Sequence, residues 1–197
     1  MPALILSNHK DFNRGRLLAL FLAGIAAAAL LLTALRPAPA FAGGGCAGAN
    51  KGPQQLSVGQ LRSATLCMIN RMRHHHGLGS VHTQRNLAKA ATGHSLDMVK
   101  RDYFSHDSPG GSSIQTRIGG SGYLHGAGSY TFGEIIGGGT TTGGSPKGVV
   151  KAWMHSAPHR MAILTGGFHD AGVGVARGFP GHGSRGATFT VDFGGRG

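Results

Sequence analysis

Apolar residues recur along this 197-residue chain with two different periods, and each period predicts a different kind of element. From Ser57 to His76, the residues Val58, Leu61, Thr65, Met68, Ile69 and Met72 fall on one helical face. Ser57 suits the N-cap of this helix, and Gly77 can end it. Leu87, Ala91, His94 and Met98 form a second stripe, predicting a helix over 83–102, and Ile114 and Ile118 mark a short third helix over 111–119. Ser145-Pro146 opens a fourth, because Ser caps and Pro is favoured at the first helical position; Val149, Val150, Trp153 and Met154 supply its apolar face. Ser156-Ala157-Pro158 breaks that helix and starts another running through Leu164. The period then falls to two. Ala171, Val173 and Val175 alternate with Gly172, Gly174 and Ala176, and Phe189, Val191 and Phe193 alternate with Thr188, Thr190 and Asp192, the pattern of a hairpin. Tyr130 to Ile136 reads as extended, and Gly137 to Gly144 as a mobile loop. Helices first, a mixed middle and a closing hairpin predict an α+β fold in which helices cover an antiparallel sheet.

The first forty residues follow neither period. Lys10, Arg14 and Arg16 precede an uncharged, Leu- and Ala-rich stretch from Leu17 to Leu35, and Ala40-Phe41-Ala42 has the small-x-small pattern of a signal-peptidase site. Residues 1–42 are therefore expected to form an export signal cut after Ala42. The apolar run is also long enough to stay as an anchor, which would leave the rest on the outer side of the cytoplasmic membrane. A lipid-modified Cys46 fits less well, because Gly43-Gly44-Gly45 stands where a lipid-attachment motif wants Leu. Residues 43–55 read as a flexible arm and 56–197 as the domain.

Composition narrows the function classes. The 36 Gly residues have no three-residue repeat, so collagen is out. Two Cys cannot build a disulfide-rich scaffold, but outside the cytoplasm Cys46 and Cys67 are expected to pair and tie the arm to the first helix; the alternative is a free, buried Cys67. Without residues 1–42 the chain keeps 15 of its 19 Lys and Arg and 6 of its 7 acids, a net +9. That charge suits an anionic cell-envelope surface, such as acidic lipid headgroups or cell-wall polymers. Nucleic acid is set aside, since the chain is exported and has no basic helix or aromatic-basic motif. The expected state is a monomer.

Candidate chemistry is confined to three stretches. They are Tyr103-Phe104-Ser105-His106, Phe132-Gly133-Glu134-Ile135, and Trp153 through Arg160 with His155, Ser156 and His159. Glu134 is the sole Glu, which excludes any paired-Glu mechanism. Pro158 places His159 in the first turn of a short helix, where the dipole disfavours imidazolium and keeps a neutral ligand or base. His74, His75 and His76 are consecutive; they do not share a helical face and read as a solvated helix end. No His-Glu-x-x-His, Gly-x-Ser-x-Gly or phosphate loop is present.

Taken in order, these stretches resemble the CAP superfamily, the cysteine-rich secretory, antigen 5 and pathogenesis-related proteins, in its secreted bacterial branch. The resemblance runs from about Cys46 to Gly194. It is carried by Asn70-Arg71-Met72-Arg73, His94-Ser95-Leu96-Asp97-Met98, Tyr103 to His106, Gly122-Tyr123, Gly133-Glu134-Ile135, Trp153 to Leu164, Gly172 to Val175 and Asp192-Phe193-Gly194. It implies a three-layer α-β-α sandwich with a central cleft lined by two His and two acids, the His pair able to hold a divalent metal such as zinc. His106 and His159 match the two His and Glu134 one acid; Ser156 stands at the second acidic position, Ile135 where Asn is usual, and Pro158 where Gly is frequent. The expected function is an extracellular binding module whose cleft takes a lipid, a glycan or a similar ligand. The alternative is a metal-dependent peptide or ester hydrolase, with metal on His106 and His159 and Glu134 as the catalytic base. A third reading makes the His and Glu purely structural.

Overall fold

The computed structural model describes residues 4–8 and 45–197. Its strands are β1 (Leu4–Asn8), β2 (His82–Thr83), β3 (Tyr130–Thr140), β4 (Asp170–Arg177) and β5 (Gly186–Arg196). Its helices are α1 (Val58–His75), α2 (Arg85–Lys100), α3 (Ile114–Gly120), α4 (Pro146–His155) and α5 (Ala157–Ile163). The helices start where side chains can satisfy their first amides. The Ser57 hydroxyl accepts from the Gln60 N–H at 3.2 Å while the Gln60 side chain accepts from the Ser57 N–H at 2.8 Å, a reciprocal box at the head of α1. Ser113 caps α3 and Ser145 caps α4 in the same sense, each accepting from the amide three residues on.

The strands form one sheet in the order β1-β3-β5-β4-β2. All neighbours are antiparallel except β2, which runs parallel to β4. Alternation along the strands sends residues to two faces. On one, Ile135, Val173, Val191 and Phe193 meet Leu61 and Ile69 of α1, Trp153 of α4 and Ile163 of α5 in the larger core cluster. On the other, Phe132 meets Leu87 of α2 and Ile114 and Ile118 of α3. Helices thus cover both faces, and the chain is an α-β-α sandwich.

The second face is close because β4 offers it glycine. A Cβ placed on Gly174 would lie 2.1 Å from the Ala91 carbonyl carbon, and one on Gly172 2.1 Å from the Ala88 nitrogen. The polar half of the hairpin pattern is therefore buried too: α2 rests directly on the β4 backbone. In the same way β3 continues to Thr140, where a mobile loop was expected. Gly137 and Gly138 are strand positions that leave room for the rings of Trp153 and Phe179, which a Cβ would meet at 2.7 and 2.6 Å.

Two further differences lie near the N-terminus. The arm read as flexible is tied to α1 by the expected Cys46–Cys67 disulfide, and it is ordered beyond that tie: Ala49, Pro53 and Leu56 are buried, and the Arg177 guanidinium donates to the Pro53 and Leu56 carbonyls. Leu4–Asn8, expected in the leader of the export signal, pairs with Glu134–Tyr130 as the outermost strand. The apolar stretch from Leu17 to Leu35 and the expected cut after Ala42 lie outside the described residues. Among the described residues, no helix is long and apolar enough to cross a membrane.

Candidate functional site

The polar centre of the molecule is built around Glu134. Its place in β3 sets it directly opposite Asp192 of β5, on the face covered by α2 and α3. Ser129 and Gly197 exchange both backbone hydrogen bonds, so odd-numbered β3 residues bond towards β5. Glu134 and Asp192 are therefore a non-hydrogen-bonded pair, the kind in which opposed side chains approach most closely.

Both carboxyl groups are fully buried. His106, on the loop after α2, donates Nδ1–H to Glu134 Oε1 at 2.7 Å. Arg117 of α3 donates to Glu134 Oε2 at 2.7 Å and to the His106 carbonyl at 2.9 Å, so one guanidinium fixes both ends of the His–Glu bond. His94 of α2 lies 3.8 Å from Glu134 Oε1 and donates to the Ser105 carbonyl at 3.0 Å, which anchors the loop carrying His106. Tyr103, at the head of that loop, donates to Asp97 at 2.6 Å.

These contacts set the protonation states. Burial alone would push the Glu134 carboxyl up, but the His106 hydrogen bond and the Arg117 charge outweigh it and hold Glu134 below the usual range. Asp192 has no such partners. Among the described residues no His or Arg donates to its oxygens, and burial, with Glu134 beside it, pushes its carboxyl well above the usual range. The two members of the pair are thus shifted in opposite directions, Glu134 towards its ionised form and Asp192 towards its protonated form. Burial lowers His94. It also pushes His159 down to about 4, helped by the charge of His106.

The sequence-predicted residues are therefore distributed as follows. His106 and Glu134 meet in a direct bond. His159, buried in α5 with its Nε2 unpartnered among the described residues, is near enough to feel the His106 charge. Ser156 is the junction between α4 and α5, and its hydroxyl does not cap the helix. Sequence reasoning missed Arg117 and Asp192. Arg117 stands alone in a Gly-rich stretch, and Asp192 sits where period-two alternation reads as a solvent-facing position.

The residues present do not fit a tightly held divalent metal. Among the described residues no group of three or more His, Cys, Asp or Glu is placed to hold an ion. The carboxylate beside His106 is already bound to Arg117, whose charge repels a cation. What the arrangement does form is a rigid wall. Behind it, between α2, α3 and residues 108–112, lies an open cleft of about 440 Å³ lined by His94, Asp97, Arg101, Arg117, Ser112 and Ser121, with Lys89 at its edge.

A family model described as "CAP: Cysteine-rich secretory protein family" matches residues 66–193. The chain is 35% identical over 118 residues to the uncharacterized protein YkwD of Bacillus subtilis strain 168, covering 60% of this chain and 43% of that protein. It is 30% identical over 114 residues to the uncharacterized membrane protein YlbC of the same strain, covering 57% and 30%. The chain thus spans less than half the length of these relatives. Among solved structures, an outer surface protein of Borrelia burgdorferi superposes with a TM-score of 0.59 at 19% identity, over 72% of this chain and 97% of that one. An extracellular protein of Bacillus anthracis containing an SCP domain gives 0.54 at 25% identity, over 70% and 43%.

Proposed function

Because the chain belongs to the cysteine-rich secretory protein (CAP) family, and because its polar centre opens onto a cation-edged cleft, we propose that it is an extracellular binding module for a lipid or glycan carrying an anionic group. The observation that carries this reading is the sharing of Arg117: one guanidinium both lines the 440 Å³ cleft and locks Glu134 and His106 behind it. Lys89 and Arg101 stand at the rim, where a headgroup or acidic sugar would meet them. Glu134 acts here as a positioning group. A carboxylate that is wholly buried and bound by Arg117 and His106 is a poor general base for water, so the hydrolase reading ranks behind.

The test is binding by residues 43–197 to vesicles containing acidic phospholipid and to anionic cell-wall glycan, against neutral controls. Replacing Lys89 and Arg101 together by Ala is expected to weaken binding about tenfold, roughly 1.4 kcal/mol, and to leave the melting temperature alone. Retention of no lipid or glycan, or retention indifferent to both substitutions, would sink the reading. Zinc calorimetry on the same chain with His74, His75 and His76 replaced addresses the metal directly, since those three would otherwise bind added ions; no saturable binding near ~1 μM is expected.

A further inference from the structure

The wall that α2 gives to the cleft has a regular charge pattern. Lys89, Gly93 and Asp97, with the C-cap residue Arg101, line it at every fourth position. Residues at that spacing share one face of a helix, so the four form a stripe about 18 Å long. A cation closes each end, and a carboxylate stands between them. Gly93 leaves the stripe open: a Cβ there would meet no atom within 4 Å, so no packing contact requires a glycine. From the α3 side comes Arg117, whose side chain is only 10% exposed and whose buried Nε–H has no partner among the described residues.

Asp97 decides what this stripe can hold. Its Oδ2 accepts the Tyr103 hydroxyl at 2.6 Å and lies 3.6 Å from Arg101 Nη1, while its side chain stays 32% exposed to the cleft. The Tyr103 hydrogen bond also holds the carboxyl below its usual range, so it is an acceptor and a negative charge. A ligand that is anionic throughout is repelled there. A ligand with a hydroxyl between two acidic groups donates to Asp97 and meets the cations on either side. The remaining wall sets a second condition. No apolar side chain lining the cleft is larger than that of Ala90, and the rest of the lining is glycine, serine and charged or polar groups. Such a surface gives an acyl chain little to bury against, whereas serine hydroxyls suit a polyhydroxylated ligand. We propose that the cleft takes an acidic oligosaccharide of the uronic-acid type, laid along α2, and that Asp97 is the residue that selects it. Sugar carboxylates meet Lys89 and Arg101, and a ring hydroxyl between them donates to Asp97. This inference rests on the anionic-ligand reading of the cleft and narrows it from lipid or glycan to glycan.

The test is calorimetry on the full chain with three soluble probes: trigalacturonate, the neutral trisaccharide maltotriose, and inorganic tripolyphosphate, a compact polyanion without sugar hydroxyls. Trigalacturonate is expected to bind at least tenfold more tightly than either of the others. Asp97→Asn keeps an acceptor for Tyr103 and removes the charge. It should weaken trigalacturonate about tenfold and strengthen tripolyphosphate, two changes of opposite sign that a mere loss of structure would not produce. Gly93→Leu, which puts a side chain into the open part of the stripe, should abolish sugar binding and leave the melting temperature unlowered. Tripolyphosphate matching trigalacturonate in the parent chain, or an Asp97→Asn variant that treats the two anions as the parent does, would overturn the proposal. Capture by acidic vesicles that depends on Lys89 and Arg101, with no binding of trigalacturonate, would overturn it as well and leave the broader reading standing. Binding to no anion at all would remove both.

Discussion

The two faces of the sheet bury charge in opposite ways. On the α1–α4–α5 side, buried Arg73 donates to four backbone carbonyls, those of Gly79, Ile163, Thr165 and Phe168, at 2.8 to 3.1 Å. On the α2–α3 side, buried Glu134 is held by His106 and Arg117, with Asp192 and His94 beside it. A charge held by backbone is a fastening: its partners cannot titrate or turn away. A charge held by side chains can change partners and protons. The first face thus fixes its buried Arg through backbone, and the second fixes its buried Glu through ionisable side chains.

The sharpest way to break that comparison is to lift α2 off the sheet. Gly174→Ala sets a Cβ 2.1 Å from the Ala91 carbonyl carbon and should cost more than about 4 kcal/mol, abolishing a cooperative thermal transition. A folded variant with an unchanged melting temperature would show that the close approach is not required. Next comes Arg117→Ala, which strands Glu134 and is expected to cost about 3–5 kcal/mol. Adding Glu134→Leu should recover a large part of that loss. A double-mutant cycle with no coupling would dissolve the polar centre as a unit.

The smallest effects are in pH. Asp192 is raised in the folded state, so the folded chain keeps this proton to higher pH than the unfolded chain does. Its contribution to stability is full below the ordinary Asp value of 3.8 and declines as pH rises from there towards its folded value. Asp192→Asn should remove that slope and raise the melting temperature at pH 7. His159 works in the other sense. With a folded value of about 4 against 6.5, it supports stability above 6.5 and withdraws that support as pH falls towards 4. His159→Gln should flatten the acid limb of the melting curve, and an unaltered limb would count against a neutral, buried His159.

Much of this was legible in the chain because its signals were local. Ser57 with Gln60, and Ser145 with Pro146, announce helices within a few residues, and the ordered motifs from Asn70 to Gly194 identify the sandwich. His106, Glu134 and His159 stand out because their neighbours form recognisable blocks. What stayed hidden depends on distant contacts. Gly137 and Gly138 read as loop until Trp153 and Phe179 claim the space beside them. Asp192 reads as solvated until α2 covers the second face. Arg117 has no meaning until Glu134, 17 positions away, is brought within 2.7 Å. β1 was obscured by a stronger local signal, a basic leader and apolar run that read as an export signal.

Trp153 carries one more consequence. It is the single tryptophan of the chain, it is buried, and its indole N–H holds the Ile136 carbonyl. The protein thus contains its own optical reporter. Emission from that one indole reads the seam between α4 and β3, so the parting of helix from sheet can be followed without a dye, in the same cuvette in which the fold is melted.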